Sequence, residues 1–302
     1  MDIDEINSHD QIIIFAANWL ANYMKDDFSQ LNNMLKKINI PITIIGLGSH
    51  TPYEKVDAKE FINTLNPTLI DFIHLVAEHS NSISVRGYTT KELLNAMGIY
   101  NIDVTGCPSW FVNWKNDKKI IKTDLNSKSG ILFHSDPEQR DLYKIMFEHF
   151  EGYTNSRLLI QSEFDLIKYL LPNFHDNYEN NYQLKDKWLS NKNFGCFFQN
   201  VSEWEKFIVE NIDLSFGLRI HGTIIALKNG IPAILVTHDG RTREMAEFFS
   251  IPNITVQDLT DENFSLHKIY EKADYSIMEN NYSELLKNYI KFLDKNNIKH
   301  IN

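Results

Sequence analysis

"SFGLRIHGTIIALKNGIPAILVTHDGRTREMAEFF" spans residues 215–249. A strand-like approach gives way to Arg219, His221 and Gly222, a helix-like stretch follows, and the apolar run "IPAILV" leads into a second polar cluster, "THDGRTRE". Two parallel strands cannot be joined by a tight turn. They need a crossover of a dozen or so residues, usually a helix. The order strand, helix, strand therefore predicts a parallel sheet, with both polar clusters at the carboxyl ends of its strands.

The same rhythm extends towards the N-terminus. "QIIIFAANWL" (11–20), "IPITIIGLGSH" (40–50), "SISVRG" (82–87) and "IDVTGCP" (102–108) are strand candidates. Between them lie "FSQLNNMLKKIN" (28–39), with apolar residues at helical spacing, "AKEFINTLNPTLIDFIHLVAEH" (58–79), broken near Pro67, and "TTKELLNAMG" (89–98). After a polar, lysine-rich crossing at 113–129 come "GILFHSD" (130–136), a helix through "PEQRDLYKIMFEHF", "RLLIQS" (157–162), a helix "EFDLIKYLL", an Asn-rich loop (173–193) and "FGCFFQN" (194–200). A tail helix at 283–298 closes the chain. The expected fold is α/β, as two stacked domains with a cleft between them. The expected boundaries are 1–115 and 116–280, with a C-terminal helix in 281–302.

Composition narrows the function. A chain of 302 residues exceeds one ordinary core, and 43% apolar with 23% charged residues is the balance of a soluble globular protein. A net charge of −10 argues against a nucleic-acid binder and against polybasic attachment to anionic lipid. Two cysteines far apart, Cys107 and Cys196, form no disulfide framework. No run reaches the ~18 apolar residues of a membrane span, and "MDIDEINSHD" is unlike a signal peptide. The expected location is the cytoplasm, including the inner face of the membrane.

Four loops stand where a parallel sheet binds ligands: "GLGSH", "VRGYTT", "GLRIHGT" and "THDGRTRE". In "GLRIHGT", arginine supplies a planar charged fork for carboxylate or phosphate, and histidine a proton near neutrality. Gly222 lets the backbone turn into a helix whose first amides favour an anion. In "THDGRTRE", Asp239-Gly240 reads as a tight turn. Arg241, nearer that turn than Arg243, is the better ligand candidate, and for Glu244 a helix-capping role stands beside a ligand role. Arg86 closes the strand "SISV"; a surface salt bridge is the alternative to anion binding. Gly48 and Ser49 of "GLGSH" join the candidates, although this loop lacks the third glycine of a dinucleotide fingerprint. Cys107 reads as a packing residue, and no HExxH or CxxC spacing indicates a protein-built metal site.

"SVRGYTTKELLNAMGIYNIDVTGCPSWF" (84–111) and the stretch 215–244 together resemble the polysaccharide pyruvyl transferase family, over about residues 10–260. The resemblance implies a GT-B-like pair of Rossmann-like domains. It also implies transfer of the enolpyruvyl unit of phosphoenolpyruvate onto two hydroxyls of a sugar, free or lipid-linked, with phosphate released and no further cofactor. Members commonly begin with a Gly/Asn/Asp loop after a first strand, and here the chain opens almost directly at "QIIIFAANWL". A missing or shortened first βα unit is the expectation. On this reading Arg219 and Arg241 bind the carboxylate and phosphate of the donor, Arg86 assists, and His221 is the general acid. A nucleotide-sugar glycosyltransferase, with Glu244 or Asp239 on the ribose, and a non-catalytic glycan-binding relative are the alternatives.

Overall fold

The computed structural model describes residues 2–112, 119–135, 139–161, 196–197 and 200–301. The chain forms two compact units. Unit 1 comprises Met1–Val112, Asp239–Ser250 and Ser276–Asn302; unit 2 comprises Asn113–His238 and Ile251–Tyr275.

Unit 1 opens with α1 (Ile3–Asn7), β1 (Ile12–Phe15), α2 (Ser29–Leu35), β2 (Ile42–Ile45), α3 (Ala58–Ile62), α4 (Pro67–His79), β3 (Ile83–Val85), α5 (Tyr88–Ala96) and β4 (Ile102–Val104). The break near Pro67 has a plain cause. Asn66 caps α4 through the Thr68 amide, and Pro67 takes the first helical position, where its missing N–H costs nothing. β1 pairs in parallel with β2, β3 with β4, and a parallel bridge between Leu47 and Val85 joins the two pairs. Ile42 and Ile44 of β2 enter a core with Leu69, Phe72 and Ile73 of α4.

Unit 2 contributes β5 (Ile131–His134), α6 (Arg140–Phe150), β6 (Arg157–Ile160), β7 (Cys196–Phe197), α7 (Val201–Asn211), β8 (Leu214–Gly217), α8 (Ile220–Lys228), β9 (Ala233–Thr237) and β10 (Asn253–Thr255). Its six strands are all parallel, in the order β10-β9-β8-β5-β6-β7. The chain winds outward from β5 in one direction and from β8 in the other. That is the doubly wound order, whose ligand crevice lies where the winding reverses, between β5 and β8. Every residue of β5, β8 and β9 is buried, as expected of strands covered on both faces. Phe133, Phe147, Phe150 and Phe216 share this core, so the aromatic residues of 143–153 described here pack rather than present a stacking surface.

Segment 239–250 groups with unit 1, although the rhythm of the sequence assigns it to 116–280. It forms α9 (Gly240–Phe249). Phe249 stacks on Trp110 with ring centroids 4.3 Å apart. A Cβ on Gly106 (φ +78°) would come within 2.2 Å of the Phe249 ring, so the glycine of "TGCP" is a docking site for α9. Unit 2 is completed by α10 (Val256–Thr260) and α11 (Leu266–Lys272). The last helix, α12 (Ser276–Lys295), belongs to unit 1. Phe292 and Leu293 pack on Ile45, while the Asn296 side chain donates to Ser82 Oγ and accepts from the Ser82 amide. Cys107 is buried beside Ser109. The expected helix "EFDLIKYLL", the Asn-rich loop and residues 113–118 of the crossing lie outside the described residues. Among those described, no helix is long and apolar enough to cross a membrane.

Candidate functional site

In unit 2 the two strands flanking the reversal end in His134 and Gly217. Gly217 has φ +145°, and a Cβ there would meet the His134 carbonyl at 2.0 Å, so only glycine lets β8 run this close to β5. Two residues later Arg219 is the N-cap of α8; its amide donates to His134 Nδ1 at 2.9 Å, and its Nε to the Ser135 carbonyl at 3.4 Å. His221 follows in the first turn of α8 and is exposed. Gly222 lies against the His134 ring: a Cβ would stand 2.6 Å from its Cδ2. Burial, reinforced by the Arg219 charge, pushes the His134 imidazole down to about 3, so the ring is neutral. Arg219, His221 and Gly222 thus gather at the open end of α8, where the positive end of the helix dipole favours an anion.

In unit 1 the arginine closing β3 is not a surface residue. Arg86 is 6% exposed; its Nε donates to the Gly46 carbonyl at 2.9 Å and its Nη1 to Asn18 Oδ1 at 3.4 Å. No carboxylate among the described residues lies within ion-pair distance of it. Its hydrogen bonds go to neutral oxygens, and its charge also acts on the buried Glu244 carboxyl without forming an ion pair with it. Gly48 permits this arrangement, because a Cβ there would meet the Ala17 carbonyl at 2.8 Å and Arg86 Cδ at 2.9 Å.

Ser49 enters a different network. Its amide donates to Thr90 Oγ1 at 3.1 Å, while the Thr90 amide donates to Glu244 Oε1 at 2.7 Å and the Thr90 hydroxyl to Glu244 Oε2 at 3.0 Å. Thr90 is in the first turn of α5, whose N-cap, Gly87, has no side chain to offer. Glu244 therefore caps a helix, but α5 rather than its own. A Cβ on Gly87 would lie 2.2 Å from Glu244 Cγ, so the glycine of "VRGY" makes room for this carboxyl. Burial pushes the Glu244 carboxyl up to about 7, against the opposing pull of the Thr90 hydrogen bonds and the Arg86 charge.

That shift has a sign. Between the ordinary carboxyl value of 4.5 and about 7 the folded chain holds a proton that the unfolded chain has lost. Stability therefore falls as pH rises through this window, by about 3 kcal/mol in all. Glu244→Gln keeps an oxygen for the Thr90 amide and removes the charge. Thermal melts should show the variant at least as stable as the parent at pH 8 and flatter between pH 5 and 8. A parallel pH dependence in the two proteins would contradict the assignment.

Asp239 and Gly240 form a helix start, not a tight turn. Asp239 caps α9, accepting from the Thr242 amide at 2.7 Å. Its other oxygen pairs with Arg241 Nη2 at 3.0 Å and lies 3.6 Å from His50 Nε2. Arg241 is thus already matched by an acid, and Arg243 donates to the Tyr53 carbonyl. His134, Gln161, Asn18 and Thr90 were not among the residues singled out by sequence. The one signal for His134 was its place as the polar residue ending the run "ILFH". Among the described residues no group of three or more His, Cys, Asp or Glu is placed to hold a metal.

Comparison with known proteins gives the family of the chain. Among curated proteins no sequence matches the chain. Solved structures similar to it include S. aureus MnaA with UDP (13% identity, 96% of this chain and 77% of that one, TM-score 0.49). A UDP-N-acetylglucosamine 2-epimerase is also similar (10%, 99% and 77%, 0.48). So is a Listeria monocytogenes protein described as such an epimerase (13%, 99% and 81%, 0.47). Likeness at this level says nothing about what the chain acts on. The family model for polysaccharide pyruvyl transferase matches residues 2–240. The chain belongs to the polysaccharide pyruvyl transferase family, and its members are transferases.

Proposed function

We propose that the protein transfers the enolpyruvyl unit of phosphoenolpyruvate to two hydroxyls of one sugar in a polysaccharide or its precursor, giving a cyclic pyruvate ketal and phosphate. The turn at the winding reversal of unit 2 carries this reading. It joins a cation, an exposed imidazole and the N-terminal end of a helix at the place where such sheets bind ligands. A proton added to the methylene carbon makes it a methyl group and leaves positive charge on the neighbouring carbon. A sugar hydroxyl attacks that carbon, the bond to the phosphate oxygen breaks, and the second hydroxyl closes the ring. Of the two hydroxyl protons, one balances the new methyl hydrogen and the other leaves with phosphate.

His221 is assigned as the general acid, being exposed and unencumbered by the core. Arg219 binds a charged group of the donor. Arg86 is the second anion-binding residue, supported by its burial with only the Gly46 carbonyl and Asn18 Oδ1 as hydrogen-bond acceptors. Arg241 is carried as a third, its guanidinium paired with Asp239. Ligand-dependent melting tests the donor class. At a hundredfold excess over Kd a ligand stabilises the folded state by about 2.7 kcal/mol. Phosphoenolpyruvate should raise Tm, and UDP and GDP should leave it unchanged. The opposite pattern would favour nucleotide-sugar transfer.

A further inference from the structure

We infer that His134 and Gln161 form a pair of uncharged donors for one oxygen of an oxyanion ligand, where β5, β6 and the first turn of α8 meet in unit 2. The inference deepens the donor reading above and rests on it for the ligand's identity.

His134, the last residue of β5, is fully buried. Its Nδ1 accepts the Arg219 amide hydrogen at 2.9 Å, so that nitrogen carries no proton. In a neutral ring the hydrogen then sits on Nε2, and this N–H has no acceptor among the described residues. Gln161, the first residue after β6, has the same deficit: its amide nitrogen is buried and finds no partner. The two side chains border the same spot: the point where a Cβ on Gly222 would stand is 2.6 Å from His134 Cδ2, the ring carbon bonded to Nε2, and 3.0 Å from Gln161 Nε2. The hydroxyl of Thr223, next along α8, is also buried without a partner.

Native chains rarely bury donors unmet, and such groups cluster where a ligand supplies the missing acceptor. What gathers here is chiefly N–H: the imidazole, the amide, and the Ile220 and His221 amides, which precede the first hydrogen bond of α8, from the Gly222 amide to the Arg219 carbonyl. A species that only accepts fits this set, which means a carboxylate or phosphate oxygen. Because burial keeps His134 neutral, it contributes a directed hydrogen bond, and Arg219 contributes the charge. Gly222 is the residue that lets ring and amide approach the helix end.

Two variants of the full chain test this. Gln161→Glu replaces the amide donor with a carboxylate at a half-buried position. His134→Asn keeps an acceptor for the Arg219 amide and deletes the Nε2 hydrogen. Each is titrated calorimetrically with phosphoenolpyruvate, inorganic phosphate and UDP beside the parent, with Tm recorded. Gln161→Glu should weaken whichever of these the parent binds by about tenfold or more with little change in Tm. His134→Asn should act in the same direction, and if it fails to fold, Gln161→Glu decides alone. Unchanged affinities overturn the subsite, as does a parent that binds none of the three, and in either case an ordered water is what meets these donors. If the parent binds UDP or phosphate but not phosphoenolpyruvate, with the same dependence on Gln161, the subsite stands and the donor reading falls. If phosphoenolpyruvate binds the parent and both variants alike, the donor reading stands and the subsite falls.

Discussion

His221→Ala is expected to lower phosphate release from phosphoenolpyruvate by about 10²–10⁴-fold, the usual worth of a positioned general acid, with Tm unchanged. The fold does not depend on this imidazole. It is exposed in the first turn of α8, whereas Ile220 and Ile224 on the same helix are buried. Exposed substitutions of this kind ordinarily change stability by no more than about 0.5 kcal/mol. Donor binding should survive, because the charge on Arg219 and the helix amides remain, so the loss should fall on kcat rather than KM. A variant that turns over near the parent rate would remove His221 from the chemistry. One that loses Tm along with activity would make it a structural residue.

Arg86→Lys is expected to weaken phosphoenolpyruvate binding by about 10- to 100-fold, which is about 1.4–2.7 kcal/mol. The guanidinium reaches the Gly46 carbonyl and Asn18 Oδ1 from two different nitrogens and has a third, Nη2, besides. A lysine ends in one nitrogen and cannot hold both oxygens while facing a ligand. Calorimetric titration with phosphoenolpyruvate measures the effect, and an affinity equal to the parent's would show that this buried charge serves the fold alone. Arg219→Lys should act in the same direction, since its Nε is committed to the Ser135 carbonyl. The remaining guanidinium nitrogens have no lysine equivalent.

Where the polypeptide alternates helix and strand over long apolar runs, the sequence is transparent. "IPAILV", "DLSFGLR" and "ILFHSD" are strands because their carboxyl ends and flanking turns are marked by Pro, Gly, Arg or Asp. β10 is three residues long and carries no periodicity, and α7, in "VSEWEKFIVEN", begins at the Asn200 cap in a stretch for which the sequence gives no expectation. The grouping of α9 with unit 1 is invisible for a different reason. It depends on Gly106 admitting Phe249 and on Gly87 admitting Glu244, contacts between residues more than a hundred positions apart. Of the candidate site, what the sequence marks is charge at a strand end, which singles out Arg86, Arg219 and His221. It does not mark their partners. Nothing local announces that Asp239 neutralises Arg241, that Glu244 caps α5, or that His134 waits at the end of β5 with one hydrogen unspoken for.

The central claim is most directly tested by incubating the protein with phosphoenolpyruvate and a panel of glycosides, measuring inorganic phosphate and the mass of the acceptor together. The account predicts phosphate released in step with a pyruvate ketal on one acceptor, and neither product with His221→Ala. Consumption of a nucleotide sugar while phosphoenolpyruvate stays intact would contradict it.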